Sequence, residues 1–138
     1  MLRDVLAACE PFGDVVVADA PGGQGEAVAQ TLRGRVGPVA VVNSDLPCAT
    51  SDEIAELLAR APALVAARDG TTNALSLRDA GAFRPLYGPG SAARFERELG
   101  ATRLDLPGLA ADVDVSRDLV PVQGRLGRHT RAALEVCV

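Results

Sequence analysis

The sequence predicts an α/β sandwich built on a mixed, mostly parallel sheet. Three observations carry this. Uninterrupted apolar runs such as Val39–Val42 and Leu64–Ala67 have the length and β-branching of strands buried on both faces. Between such runs lie stretches with apolar residues at helical spacing, so strands alternate with helices. A chain of 138 residues, 48% hydrophobic and 23% charged, has the size and composition of one globular domain, read here as residues 1–138.

The elements follow in order. Leu2, Val5, Leu6 and Cys9 recur at helical spacing, so the chain opens inside a helix that Pro11-Phe12-Gly13 ends. Val15–Ala18 is expected as a short buried strand, Ala20–Gly25 as a loop and Glu26–Leu32 as a helix. Val39–Val42 is the second strand. Thr50, with Glu53 three residues on, has the form of a capping box for a helix carrying Ile54, Leu57 and Leu58. Leu64–Ala67 and Asn73–Leu77 are the next strands, followed by a Gly/Pro-rich stretch from Gly81 to Gly90. Ser91 is read as an N-cap and Gly100 as a C′ glycine, leaving Ala92–Leu99 as a helix. Thr102–Leu106 and Ala111–Val115 are short strand candidates. Ser116 would cap one more turn that Pro121 stops, and Thr130–Val136 is a final short helix.

Composition excludes several functions. The net charge of −4 opposes binding to a phosphate backbone, so no nucleic acid is expected as a partner. All 14 basic residues are Arg, which excludes chemistry that needs a lysine amine: a P-loop lysine, a Schiff base or a Ser-Lys dyad. Cys9, Cys48 and Cys137 are scattered and His129 stands alone, so no zinc-type cluster is present. Scattered, odd-numbered cysteines suit reduced thiols and a cytoplasmic setting. Arg3 and Asp4 break any signal-like apolar run, and no stretch approaches the length of a membrane span.

In open α/β sheets ligands sit at the carboxyl ends of strands. Asn43-Ser44-Asp45-Leu46-Pro47 directly follows a strand. Its Asp45 reads either as a ligand for a hard cation or as a solvated turn residue. Gly22-Gly23-Gln24-Gly25 precedes a helix, and its glycines would let backbone approach a ligand. A dinucleotide fingerprint would need glycine where Val28 stands, so a plain turn is the competing reading. In Asp112-Val113-Asp114, alternation along a strand would put both carboxylates on one face. With Asp45 they could chelate Mg²⁺; the alternative is one solvated and one helix-capping acid. Gly70-Thr71-Thr72-Asn73 and Gly88-Pro89-Gly90-Ser91 both offer N–H groups and hydroxyls suited to a phosphate, or serve as simple capped loops. Gly90-Ser91-Ala92 lacks the flanks of a nucleophile elbow and His129 has no evident serine partner, so a hydrolase triad is not indicated.

Taken together and in order, four segments resemble one family. Asn43–Pro47 resembles its (G)DLP motif, and Asp69–Leu75 its GTNAL segment. Phe83–Phe95 resembles F-x-P-x-F/Y-G-x-x-S. Ala111–Leu119 resembles D-V-D-T-P-x-D-L, with Val115-Ser116 in place of Thr-Pro. The family is 2-phospho-L-lactate guanylyltransferase with its phosphoenolpyruvate-using bacterial members, and the match runs from about Asp19 onward.

The resemblance implies a nucleotidyltransferase-like three-layer sandwich. It implies that a small phosphorylated acid attacks the α-phosphorus of GTP and releases pyrophosphate, in biosynthesis of the deazaflavin coenzyme F-420. By position, Thr72, Gly88 and Ser91 match residues that hold the acid. Gly23, Gln24 and Gly25 match the nucleotide-side loop, and Asp45, Asp112 and Asp114 match acids that bind Mg²⁺, with Asp45 and Asp114 catalytic. A phosphate nucleophile is already ionised near neutral pH, so no general base is required.

Two departures stand out. The family's opening strand and basic triphosphate-gripping loop have no counterpart here, so weak activity with GTP is expected, together with either marginal stability or a homodimer through an exposed sheet edge. Arg33, Arg35 and Arg68 are candidates for a substitute grip. The rival readings are a molybdenum-cofactor-type nucleotidyltransferase and a non-catalytic or partner-dependent remnant of the fold.

Overall fold

Three of the four strands form an antiparallel core, and its order follows from connection length. In the computed structural model, which describes residues 1–136, β2 (Ala63–Ala66) and β3 (Thr72–Leu77) are joined by five residues, too few for a crossover. They therefore pair antiparallel, Leu64 opposite Leu75. β1 (Val39–Val42) also pairs antiparallel with β3, Val41 opposite Leu75. β4, only Thr102–Arg103, adds parallel to β2, giving the order β1-β3-β2-β4. The sheet is mixed, as expected, but two of its three pairings are antiparallel, which corrects the mostly parallel expectation. The cause is that β3 intervenes between β1 and β2.

Helices cover both faces. α1 (Leu2–Cys9) and α3 (Ser51–Ala59) bury Val5, Ile54 and Leu57 with Val65 and Ala74 of the sheet. α2 (Gln24–Leu32) and α4 (Ser91–Leu99) bury Val28, Leu32 and Phe95 with Leu64, Leu75 and Leu77. Strand alternation produces this split, with successive residues of β2 and β3 feeding opposite layers. All six β3 residues are buried. Ser76 is tolerated there because its hydroxyl donates to the Leu57 carbonyl at 2.6 Å, one of the carbonyls left unpaired at the end of α3.

Several boundaries differ from expectation. Val15–Ala18 is not a strand; it is extended, unpaired and exposed, because no strand lies beside it and β-propensity acts only through a partner. Ala111–Val115 is likewise irregular, so Asp112 and Asp114 do not share the face of a strand. Thr102–Leu106 shortens to β4. Ser91 is the first residue of α4 rather than its cap; Gly90, left-handed at φ 72°, takes that place. Pro121 does not stop the turn after Val115, because a 3-10 helix runs from Ser116 to Arg125 through it. The Thr50 cap is present, accepting from the Glu53 N–H at 3.3 Å. Glu53 does not close the box; its carboxylate accepts from the Gly108 N–H at 2.8 Å, tying α3 to a distant loop. Cys9 and Cys48 are free thiols, and Cys137 lies outside the described residues. No helix among the described residues is long and apolar enough to cross a membrane.

α5 (Arg128–Val136) is fixed to α1 by one side chain. Asp4, buried, accepts from the N–H groups of His129 and Thr130 at 2.9 and 2.8 Å and from the Thr130 hydroxyl at 2.6 Å. It caps a helix 125 residues away. Burial raises its pKa, but the Thr130 hydroxyl and the two N–H donors outweigh it, and the net shift is downward. Replacing Asp4 with Ala strands three buried donors, and chemical denaturation is expected to show a loss of about 2–3 kcal/mol. The shift has a sign consequence. Stability contributed by Asp4 is full above the ordinary carboxylate pKa of about 3.9 and is lost as pH falls through the lower folded value. The Asp4→Ala variant should therefore lose this acid-limb dependence in unfolding measured from pH 6 to pH 2.

Candidate functional site

The segments singled out in the sequence meet at one corner of the sheet, around the end of β1 and the start of β3. Asn43, the residue after β1, receives 2.6 Å from Gln24 Nε2 on its Oδ1 and bonds the Asn73 carbonyl through its own N–H at 2.9 Å. One asparagine thus joins the end of β1, the start of β3 and the first residue of α2. Asn73, buried, donates through Nδ2 to Asp112 Oδ1 at 3.3 Å, and the Val113 N–H donates to the Asp45 carbonyl at 3.1 Å. These two bonds draw the acidic loop against the β1 end although it forms no strand.

The Asp45 carboxyl is held above its ordinary pKa. Burial is the largest cause; its own backbone N–H partly offsets it, and the negative charges of Asp112 and Asp114 add to the rise. Its Oδ1 is buried with no hydrogen-bond partner. An orphaned buried carboxylate oxygen facing two further carboxylates is a donor set that suits a hard divalent cation. Among the described residues no three Asp, Glu, His or Cys side chains are gathered closely enough to hold a metal ion by themselves. Such a cation would take part of its coordination from a phosphorylated ligand, as Mg²⁺ commonly does.

Beside the acids lies a groove of about 480 Å³ formed by Gly22 to Glu26 against Pro85, Tyr87 and Gly88. It brings the predicted Gly23-Gln24-Gly25 loop and Gly88 together. Both helices nearby start on a glycine without a side-chain cap, α2 on Gly23 and α4 on Gly90. The first N–H groups of α2 have no backbone partner among the described residues and are left to water or an anion, whereas those of Ser91 and Ala92 in α4 donate to the Gly88 and Gly70 carbonyls at 3.0 and 3.2 Å. A side chain at Gly25 would press on Pro85, with a Cβ 3.1 Å from that of the proline, so glycine there keeps the two walls in contact. Thr72 and Ser91 meet, their hydroxyls 3.0 Å apart, and both are buried. Each therefore acts from behind the loop surface, linking the start of β3 to the start of α4. The Gly88-Pro89-Gly90 backbone fronts it.

The sequence reading missed Arg94. Its guanidinium donates to the carbonyls of Leu86 at 2.8 and 3.0 Å, Pro89 at 2.6 Å and Tyr87 at 3.1 Å. It thereby clamps the loop that presents Gly88. An arginine one turn into a helix after Gly-Pro-Gly is the only sequence signal, and it does not say which way the side chain folds. Burial pushes the Tyr87 phenol pKa up; its ring packs edge-on against Phe95 at 5.2 Å and fixes the loop's other side. Of the proposed substitute grips, Arg35 alone lines the larger groove beside β1; its Nε bonds the Thr31 carbonyl at 3.0 Å. His129 lies in α5, half-buried, near Arg128.

Helices on both faces of a mixed sheet, with a glycine-rich turn at the start of α2 and Asp45 just past the end of β1, fit a nucleotidyltransferase-like sandwich. No family model matches the chain. Relatives do. It is 41% identical over 120 residues to a phosphoenolpyruvate guanylyltransferase of Nocardia farcinica, covering 78% of this chain and 52% of that protein. It is 38% identical over 105 residues to one of Sphaerobacter thermophilus, covering 69% and 51%. A third, of Mycobacterium marinum, is 35% identical over 152 aligned positions, covering 94% of this chain and 69% of the relative. The chain belongs to the phosphoenolpyruvate guanylyltransferase family. It spans about half the length of the first relatives it matches.

Two outcomes are expected at this corner. Arg94→Lys keeps the charge but replaces a planar five-donor fork with a compact ammonium. Hydrogen exchange at the amides of residues 86–90 should speed up about tenfold while the sheet stays protected. Asp45→Asn removes a buried charge beside like charges, so the unfolding midpoint at pH 7 in metal-free buffer should rise. A raised folded pKa means that Asp45 favours the fold most when protonated. The variant's advantage should therefore shrink as pH falls toward 4.

Proposed function

We propose that this domain binds a small phosphorylated carboxylic acid and GTP and supports guanylyl transfer between them. The acid would be phosphoenolpyruvate or 2-phospho-L-lactate and the pathway that of coenzyme F-420. The observation that carries the reading is the match to guanylyltransferase relatives across 94% of the chain. Support comes from the uncapped start of α2, whose first N–H groups suit an anion in a chain whose net charge is −4 and which has no lysine.

In this reading the Gly88–Gly90 backbone, backed by Thr72 and Ser91 and held by Arg94, receives the acid. The Gly23–Gly25 turn lies on the nucleotide side. A phosphate oxygen of the acid attacks the α-phosphorus of GTP; that P–O bond forms as the bond to the β-phosphate oxygen breaks, and pyrophosphate leaves. No proton need be removed from the nucleophile, so the lack of a histidine at the corner is no obstacle. Asp45, Asp112 and Asp114 are the residues that would hold Mg²⁺, which when bound neutralises charge on the phosphates. Asn43 and Asn73 fix the separation of these acids from the Gln24 turn.

A second reading is that the chain binds the acid but depends on a partner for the nucleotide; Arg35, the candidate grip that lines the larger groove, is bonded to the Thr31 carbonyl. Calorimetry and product assay separate the two. Phosphoenolpyruvate should bind the folded chain, and Ser91→Ala should weaken that binding about fivefold, the effect of ~1 kcal/mol. Pyrophosphate release from GTP with phosphoenolpyruvate and Mg²⁺ should be slow but measurable. Binding without any release supports the partner-dependent reading. Absence of phosphoenolpyruvate binding by the folded chain rejects both.

A further inference from the structure

A groove of about 930 Å³ runs along the free edge of β1. One wall is apolar surface of α1 and α3, including Val5, Leu6 and Leu58; the opposite wall is α2, through Ala27, Val28 and Thr31. β1 forms the floor. It is the terminal strand of the sheet, with β3 on one side and nothing on the other. Asn43 bonds Asn73 across the β1/β3 pair, so by antiparallel alternation Val41 and Val39 bond inward as well. Ala40 and Val42 therefore turn their N–H and C=O groups toward the groove. Unpaired backbone polar groups on a floor between two apolar walls are what a further strand would satisfy.

Such a strand must be apolar on consecutive residues, because both its faces would be covered. Val15-Val16-Val17-Ala18 meets that requirement. It is outside any regular element, half-exposed, and itself among the residues that line the groove. Residues 14–22 make no backbone hydrogen bond among the described residues. Gly13 at φ 119° and Gly22 and Gly23 at 106° and 88° bound the run with conformations that favour glycine, so its ends can swing. Leu2, Phe12, Val15, Val16, Val17 and Val36 all line this groove and are each at least 42% exposed, a concentration of apolar surface at one place.

We propose that two copies of this chain exchange the run, Val15–Ala18 of each lying in the groove of the other as an added strand beside β1. Within one copy the run lines the groove without pairing with β1. A reciprocal exchange pairs both open edges, buries both exposed runs and closes the assembly with two-fold symmetry.

The test is oligomeric state by light scattering on the full chain over a wide concentration range, with two variants. Val16→Asp places a charge on the donor run, where the side chain is exposed in the single copy. Ala40→Pro removes an N–H that points away from β3, a position where an edge strand tolerates proline. The full chain should be a dimer, and each variant should keep the parent circular dichroism and raise the dimer dissociation constant at least about tenfold. Mixing the two variants is the decisive arm. One supplies an intact groove and the other an intact run, so one of the two exchanges is restored and dimers should reappear. A monomeric full chain overturns the proposal, as does a dimer indifferent to both substitutions. So does a mixture no more dimeric than its components, which would mean that the run closes on its own groove or that the apolar faces stack without strand pairing.

Discussion

β3 has a strand on each side and a helical layer on each face, and the placement of the site depends on that enclosure. A strand so held cannot slip by one residue without turning Leu75 and Leu77 out of one core and Ala74 out of the other. Its first two residues are therefore fixed in space. Thr72 reaches the start of α4, while Asn73 reaches Asp112 and, through its carbonyl, Asn43. Three loops distant in sequence are positioned by the register of one strand.

The anion-facing corner is assembled from backbone rather than from charged side chains. The arginines described around the fold are occupied elsewhere: Arg94 on loop carbonyls, Arg78 on the Ala61 carbonyl at 2.7 Å, Arg103 on Glu96. At the corner itself the start of α2 on Gly23 offers N–H groups to an anion. Its partial positive charge is fixed by the fold and does not titrate. The carboxylates alongside repel a bare anion, and in the proposed reading a bound cation would offset them.

The helices and the three main strands were legible because burial imposes period and composition, and each is long enough to show it. The ordered motifs marked the corner because loops at strand ends keep the residue types their chemistry needs. Three things were not legible. Val15–Ala18 has strand composition without a strand partner, and pairing is a property of the sheet, not of the run. The direction of the sheet turned on a five-residue connection, which forces a hairpin whatever the alternation of helices and strands suggests. Arg94 and Asn43 act through where a flexible or short side chain folds back, and local sequence carries little of that.

The bond set between Asp4 and Thr130 also bears on the order in which the molecule assembles. The first helix has its buried carboxylate desolvated on docking, yet the three donors that compensate it belong to the last helix. The partners lie 126 residues apart, so during synthesis that compensation arrives only after the residues between them have been made. Until then α1 carries an uncompensated charge against the apolar surface of α3 and is discouraged from docking early. The central hairpin of β2 and β3, closed over five residues, has no such wait. The fold is thus arranged to close its central hairpin before α1 is latched to α5.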